Sequence, residues 1–332
     1  MKINLAIKFG SHEIIIYRKG IGIIAKEPAY LAVTPVGKRM KVKAVGSEAE
    51  KLQAIKSSNT LVYQPIVNSE IVDVKLAIVL MRSILESKII DKFKVNNINA
   101  LVAVPCGLSI EQLSKLKKVL LESGITKVNF VTNAVCVREY DETLDSYANN
   151  CIVDIGKYTT DISILSKVSF IKGRSYFIGG ANMDDALKTY IQDNHNLEIT
   201  EKTAEQIKCK VASLYDNDMY STSFEGINDE KVFEKQSITA NEVRVAILSV
   251  YDKICELVID YIKDLPKELS AEVFSNGVIF SGGSSNIHGL YEYMTKKLDM
   301  PVIALDNPVD AVLLGCAKLL DKPIKSLIKI EI

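Results

Sequence analysis

Glycine residues at three turns give the first indication of chemistry in this sequence. Gly10 and Gly156 each separate two strand-like runs, and Gly282 and Gly283 precede a run with helical spacing. Glycine lets backbone N–H groups approach an anion because no Cβ lies in the way, and a helix N-terminus adds partial positive charge. One such turn is most often a plain hairpin. Three together predict a phosphate-binding site.

An acidic residue, Asp154, lies within the apolar run of residues 151–155. A buried carboxylate is costly unless it has a partner. A hydrated Mg²⁺ ion near the phosphates would supply one, because this ion is held by carboxylates and water. The alternative is that Asp154 forms a salt bridge with a lysine or caps a turn.

The composition fits two lobes and excludes several classes of protein. The chain has 332 residues, 48% apolar and 25% charged, with 41 basic and 41 acidic side chains and no Trp. Neither a basic patch nor a stacking platform is indicated, so no nucleic-acid partner is expected. We find no signal peptide and no run of the ~18 apolar residues that a membrane span needs. The six cysteines lack metal-ligand spacing and are interpreted as buried, reduced thiols, which implies a cytoplasmic location.

Similar strand–glycine–strand patterns occur in both halves of the chain. Residues 3–17 alternate as a hairpin around Gly10, and residues 151–166 do so around Gly156, about 146 positions later. This repetition indicates an internal duplication. Strands followed by turns and helices are typical of an α/β fold.

The predicted domains follow from that duplication. No Pro-, Gly- or Ser-rich linker separates the halves, so the lobes are expected to interleave along the chain. The predicted boundaries are lobe I at 1–145 with a small subdomain at about 30–70, lobe II at 146–317 with a helical subdomain at about 181–245, and a tail at 318–332. Within the helical subdomain, residues 216–240 are polar and read as short strands.

Six short segments, in this order along nearly the whole chain, resemble the bacterial actin homologue MreB. Individually several are weak, but their shared order is specific. The segments are 21–28 (IGIIAKEP), 102–107 (VAVPCG), 153–160 (VDIGKYTT, similar to VDIGGGTT), 179–184 (GGANMD), 201–208 (EKTAEQIK) and 281–290 (SGGSSNIHGL).

The resemblance implies an actin-like, ribonuclease H-like duplicated fold with ATP or ADP as cofactor. It assigns phosphate contacts to two turns, adenosine contacts to the last glycine turn, and ribose or base contacts to one helix. The implied nucleotide-binding residues are Gly10, Ser11, His12, Asp154, Gly156, Lys157, Thr159, Thr160, Gly179, Gly180, Glu205, Lys208, Gly282, Gly283 and Ser284. The alternatives are an exposed turn residue for His12 and a surface pair for Glu205 and Lys208, which share a helix face.

This sequence departs from the family pattern at the positions that would bind the metal and activate water for hydrolysis. Lys8 stands where the family has an aspartate that helps to hold the metal, which puts Mg²⁺ in doubt; the lysine either contacts phosphate itself or points elsewhere. Thr132 and Asn133 stand where an acid positions the attacking water. Loss of a general base costs ~10²–10⁴ in rate. Lys157 and Tyr158 replace two glycines of the phosphate loop, and Ser284 replaces the third glycine of the adenosine motif. We expect nucleotide binding to survive and efficient hydrolysis to be lost.

A lysine-rich segment is a candidate for membrane contact. Ile89, Ile90 and Phe93 stand among lysines where the family has a membrane-touching loop, and this composition suits an anionic bilayer surface. Packing of these side chains into the core is the alternative. The tail from residue 324 to 332 adds a strand, docks a partner or lies on lipid.

These observations predict an MreB-like, nucleotide-binding protein that forms filaments by self-assembly or with MreB-like paralogues. The nucleotide would act as a clamp on two lobes, in the cytoplasm or at the inner face of the membrane. The first alternative is a non-catalytic scaffold that assembles with an active paralogue. A sugar or acetate kinase would need a substrate acid that we do not find, and an Hsp70-like chaperone would need a further domain.

Overall fold

The computed structural model describes residues 2–10, 12–37, 39–54, 59–67, 70–89, 97–167 and 169–322. The chain divides into two compact units. Unit 1 comprises the described residues up to Glu142 and from Val312 onward, and unit 2 is Thr143–Ala311. The Ser11, Ile90 and Phe93 predictions, and those for the tail from residue 324, lie outside the described residues.

Unit 1 contains ten strands and four helices in its N-terminal segment, among the described residues, and one helix from the end of the chain. Its strands are β1 (Lys2–Phe9), β2 (Glu13–Arg18), β3 (Gly22–Pro28), β4 (Leu31–Val36), β5 (Arg39–Val45), β6 (Leu61–Tyr63), β7 (Ile66–Val67), β8 (Glu70–Ile71), β9 (Asn97–Val104) and β10 (Lys127–Thr132). Its helices are α1 (Ser47–Ala54), α2 (Val74–Lys88), α3 (Ile110–Glu122) and α4 (Asn133–Tyr140). The helix α10 (Ala311–Leu319) follows the elements of unit 2 and starts at its boundary.

Unit 2 contains the remaining strands and helices. Its strands are β11 (Asn149–Ile155), β12 (Thr160–Ser166), β13 (Phe170–Tyr176), β14 (Ser221–Ile227), β15 (Phe233–Thr239), β16 (Val278–Ser281) and β17 (Val302–Ile303). Its helices are α5 (Gly180–His195), α6 (Glu201–Val211), α7 (Ala240–Lys263), α8 (Lys267–Asn276) and α9 (Leu290–Leu298). The hairpin of β14 and β15 lies within residues 216–240, as predicted.

The main sheets of the two units have the same strand order. Read from the edge with the parallel strands, the order is β10-β9-β1-β2-β3 in unit 1 and β17-β16-β11-β12-β13 in unit 2. In each sheet a three-stranded antiparallel meander is extended by two parallel strands. The central strands β1 and β11 are buried on both faces, as expected for strands with helices on either side. Two sheets of one topology support the predicted duplication.

Local signals fix where the helices begin. Ser109 and Gln112 form a capping box at α3, in which each side chain accepts a hydrogen bond from the other residue's backbone N–H. Thr239 and Glu242 form the same motif at α7. The carboxylate of Asp73 accepts from the backbone N–H of Leu76 at 2.9 Å and caps α2. The apolar spacing of residues 110–123 indicates a helix in the sequence alone, and α3 agrees with it to within one residue.

The last helix lies on the other side of the predicted boundary. Lobe II was predicted to extend to residue 317, but from Val312 the chain packs with unit 1. The reason is a close fit to α4, where a Cβ added to Gly315 would be 1.7 Å from the carbonyl oxygen of Cys136. The Lys318 ammonium also donates to the carbonyl of Tyr140 at 3.0 Å.

Two surface predictions need revision. Ile89 is only 3% exposed and packs with the apolar core of unit 1, so for this residue core packing holds rather than lipid contact. Four of the six cysteines are buried as predicted, but Cys209 is exposed and Cys106 is half-buried. Within the described residues, no helix is both long enough and apolar enough to cross a membrane.

Candidate functional site

The phosphate turn predicted in unit 2 joins β11 to β12. Ile155 and Thr160 are paired in the ladder, and the Gly156 N–H donates to the Thr159 carbonyl at 2.8 Å, which closes the turn. Within the described residues, the N–H groups of Lys157 and Thr159 make no backbone hydrogen bond. Backbone N–H groups without a backbone partner at a turn can donate to an anion.

The corresponding turn of unit 1 is closed by the same type of hydrogen bond. Phe9 and Ile14 are paired, and the Gly10 N–H donates to the Glu13 carbonyl at 3.1 Å. Lys8 precedes this turn at the end of β1; it is half-buried and forms no ion pair within the described residues. His12 is exposed in the turn.

The start of α5 is hydrogen-bonded to the backbone of the unit 2 turn. The N–H groups of Gly180 and Ala181 donate to the carbonyls of Gly156 and Lys157 at 3.0 and 2.7 Å. The Gly179 N–H donates to the Asn182 side chain at 2.9 Å. A Cβ added to Gly179 would be 2.6 Å from the Gly156 carbonyl oxygen, so glycine permits this approach. The Gly179 and Gly180 N–H groups are thus used within the protein, which favours a supporting role over the predicted nucleotide contact.

The glycine pair after β16 bends against the same turn. Gly282 has φ +93°, and an added Cβ would be 2.3 Å from the Ile155 carbonyl oxygen, so only glycine fits there. A Cβ on Gly283 would meet no atom within 4 Å. The Ser284 hydroxyl donates to the Gly156 carbonyl at 3.2 Å, and its own carbonyl accepts from the Tyr251 hydroxyl at 2.6 Å. The predicted adenosine segment is therefore bonded to the predicted phosphate turn.

Asp154 has a protein partner that the sequence did not reveal. Its buried carboxylate accepts a hydrogen bond from the Ser281 hydroxyl at 3.0 Å. It also lies opposite Asp161 in the ladder, and that second buried carboxylate accepts from the Ser175 hydroxyl. Asp161 was missed, although it carries the same signal of an acid beside an apolar run.

A direct metal site is not built at Asp154. Within the described residues, no group of three or more His, Cys, Asp or Glu side chains could hold a metal ion. The Ser281 hydroxyl already occupies one oxygen of Asp154. This donor set fits, at most, a water-mediated role for that carboxylate toward Mg²⁺.

The Lys157 side chain extends from the predicted phosphate turn to α6. Its ammonium lies 3.0 Å from Glu201 Oε1 and 3.3 Å from Glu205 Oε2, and the side chain is 14% exposed. Burial lowers the pKa of Lys157, but the charges of Glu205 and Glu201 outweigh this and raise the pKa overall. The ammonium is therefore charged at any physiological pH.

Lys208 is a buried support rather than one partner of a surface pair. Its ammonium lies 2.6 Å from Asp184 and donates to the Gly180 carbonyl at 2.8 Å. Burial raises the pKa of Asp184 to about 6, against the opposing effect of Lys208. The Lys208 contact with the start of α5 stabilises the turn above it, and the alternative of a surface pair with Glu205 does not hold.

Three of the predicted site residues are buried, and two of them use their hydroxyl groups within the protein. Thr160 is buried, and its hydroxyl donates to the Ile178 carbonyl at 2.8 Å. The buried Thr132 caps α4, where its hydroxyl accepts from the Val135 N–H. Asn133 is the first residue of that helix and is also buried. Thr159 is half-buried within the turn.

The duplicated sheets and their glycine turns define an actin-like fold. Two solved structures with this fold are MreB5 of Spiroplasma citri bound to AMPPNP, with 25% identity, TM-score 0.86 and coverage of 98% of this chain and 97% of that one, and MreB5 bound to ADP, with 25% identity, TM-score 0.87 and 98% coverage of each. A MamK double helical filament matches at 19% identity and TM-score 0.81 over 97% of this chain and 100% of that one, which shows the fold alone.

The family follows from the sequence match. The family described as MreB/Mbl protein matches residues 2–327, so this chain belongs to it. Cell shape-determining protein Mbl of Bacillus subtilis (strain 168) is 27% identical over 322 residues, 96% of each chain. Cell shape-determining protein MreB of Escherichia coli (strain K12) is 24% identical over 323 residues, 96% of this chain and 93% of that protein.

Proposed function

We propose that this protein is a nucleotide-binding, filament-forming member of its family that acts in cell shape and hydrolyses ATP weakly or not at all. Its relatives Mbl and MreB are named for cell shape, and the similar MreB5 was solved with AMPPNP and with ADP. Filament formation rests on the family resemblance. The buried Ile89 gives no support to membrane insertion by that residue.

The observation that carries nucleotide binding is the link between the two glycine segments of unit 2. The Ser284 hydroxyl donates to the Gly156 carbonyl, although the two residues are 128 positions apart in the chain. The backbone beside this link has open space at Gly283 and N–H groups at Lys157 and Thr159 without backbone partners among the described residues. Such a surface suits a phosphate-bearing ligand.

Weak hydrolysis follows from the residues that stand at the predicted reactive positions. Lys8 cannot bind a metal as a carboxylate does, and the Thr132 hydroxyl is occupied as a helix cap. Neither Thr132 nor the Asn133 amide accepts a proton from water at neutral pH. We expect turnover to be reduced by ~10²–10⁴ relative to an enzyme with a general base.

Calorimetric titration of ATP and ADP, with Mg²⁺ and with EDTA, tests the proposal. Gly283→Val is the blocking variant, because the site around Gly283 is open and the fold should tolerate the added side chain. We expect binding to the wild type in both conditions and loss of binding in the variant. No binding to the wild type in either condition would overturn the nucleotide proposal, and phosphate release at the rate of an active ATPase would overturn weak hydrolysis.

Sedimentation with and without nucleotide tests assembly. We expect the purified chain to pellet with ATP or ADP present. If it pellets only when an MreB-like paralogue is added, a non-catalytic scaffold that assembles with that paralogue is the better assignment. That alternative is favoured by Lys8 and Asn133, which stand where the family has acidic residues.

A further inference from the structure

The start of α6 presents two carboxylates to one cation on the phosphate turn. Thr200 caps this helix, and Glu201 and Glu205 follow on the same face, one turn apart. Both reach the Lys157 ammonium, at 3.0 and 3.3 Å. With two carboxylates against one ammonium, the local net charge is negative. A phosphate group at the turn therefore meets no net attraction from Lys157 while both contacts persist.

The backbone of Lys157 is fixed independently of its side chain. Its carbonyl accepts from the Ala181 N–H at 2.7 Å at the start of α5. The side chain can therefore change partner without moving the turn. Because the raised pKa keeps the ammonium charged, the choice of partner is a competition between anions rather than a titration.

We propose that Glu201 and Glu205 compete with the phosphate groups of the bound nucleotide for the Lys157 ammonium, and that Glu201 thereby sets the affinity for phosphate. The inference rests on the proposed nucleotide function. It makes Glu201 a specificity-determining residue that discriminates between a nucleoside and its phosphorylated forms. Glycine at position 157 would offer neither the cation nor the competition.

Glu201 is the better residue for a test. Its side chain is 53% exposed and has no assigned ligand contact, whereas Glu205 is implied at the ribose. Glu198→Gln is the matched control, because it removes the same charge three residues earlier from a side chain that is 68% exposed and 3.8 Å from Lys231. The two variants share their effect on net charge and differ in their contact with Lys157.

The experiment measures the affinities of ADP and adenosine for the wild type, Glu201→Gln and Glu198→Gln. We expect Glu201→Gln to bind ADP about three- to fivefold more tightly, the range of a partly exposed ion pair. Adenosine, which has no phosphate, should bind all three proteins equally. Lys157→Met should weaken ADP binding, and adding Glu201→Gln to it should then change nothing.

Each result decides between the two claims. Equal ADP affinities in Glu201→Gln and Glu198→Gln, or a gain that adenosine shares, would overturn the competition and leave nucleotide binding intact. A gain that persists without Lys157 would also overturn it. Failure of the wild type to bind either ligand would overturn both the competition and the proposed function.

Discussion

The two units share a topology and a turn, but they differ in the charges that they bury. Among the described residues of unit 1, no charged side chain is buried, whereas unit 2 buries Asp154, Asp161, Asp184 and Lys208. All four lie at or beneath the second phosphate turn. The sheet and turn of unit 2 are therefore built with buried charges, which the described residues of unit 1 lack.

The strand partners of Lys8 and Asp154, which occupy matching positions before the two turns, illustrate this difference in charge. Lys8 is paired with Ala103 in the parallel ladder of unit 1, and Asp154 is paired with Ser281 in that of unit 2. The acid has a hydroxyl donor beside it, whereas the lysine faces a methyl group. Because strand pairing and glycine set the turn, its charges can change while the fold persists. Function can diverge at such a site more easily than structure.

Removing Lys208 should have the largest effect on stability. Lys208→Met would leave Asp184 buried without its cation and would remove the hydrogen bond to Gly180. Breaking a buried pair on one side costs about 3–5 kcal/mol, so we expect a fall of that size in the free energy of unfolding. Denaturant unfolding followed by circular dichroism would measure it.

The double variant Asp184→Leu/Lys208→Met is the control for that experiment. Replacing both partners with apolar side chains leaves no charge buried, so it should cost less than Lys208→Met alone. If the single variant is as stable as the wild type, the network beneath the turn does not support unit 2.

Asp184 should also make stability depend on pH. Its pKa is about 6 in the folded protein, against 3.8 for an ordinary aspartate, so between these values the folded state binds more protons than the unfolded state. Stability from this group is then present below about pH 4 and is lost as pH rises to about 6. The difference in unfolding free energy between wild type and Asp184→Asn should fall across that window and stay flat above it. A flat difference throughout would contradict the raised pKa.

The sequence predicted the fold well because its signals are local. The alternation around Gly10 and around Gly156 predicted both turns and the duplication. Nothing local placed α10 in unit 1, since the close approach of Gly315 to Cys136 joins distant parts of the chain.

Partners at the site were harder to predict for the same reason. The contacts of Lys157 with α6 and of Asp154 with Ser281 join residues 44 or more positions apart. Sequence pattern identified Glu205 and Lys208 as a pair on one helix face, but burial gave each a different partner. Motifs indicated a candidate site, and only the packing showed which of its residues are bonded within the protein.

Rebuilding the acid–hydroxyl pair in unit 1 would sharpen the comparison. Lys8→Asp alone places a carboxylate beside Ala103, whereas Lys8→Asp/Ala103→Ser supplies a hydroxyl donor at the matching position. A hydrogen bond to a charged group contributes about 1.5–3 kcal/mol, so we expect the double variant to be more stable than the single one by up to that amount. Thermal unfolding of both variants and of Ala103→Ser would show whether the gain depends on the acid. Equal stabilities would mean that register alone does not create the pair.

Thr160 offers the mildest way to make the two turns alike. Its counterpart in unit 1 is Ile14, which is apolar, and the Thr160 hydroxyl donates to the Ile178 carbonyl. Thr160→Val keeps the shape but leaves that carbonyl without this donor, so we expect a loss of about 1 kcal/mol in unfolding free energy. ADP affinity should not change, because the hydroxyl donates to that carbonyl within the protein. A clear loss of ADP affinity with unchanged stability would restore Thr160 as a phosphate contact, and the similarity of the two turns would then stop at the backbone.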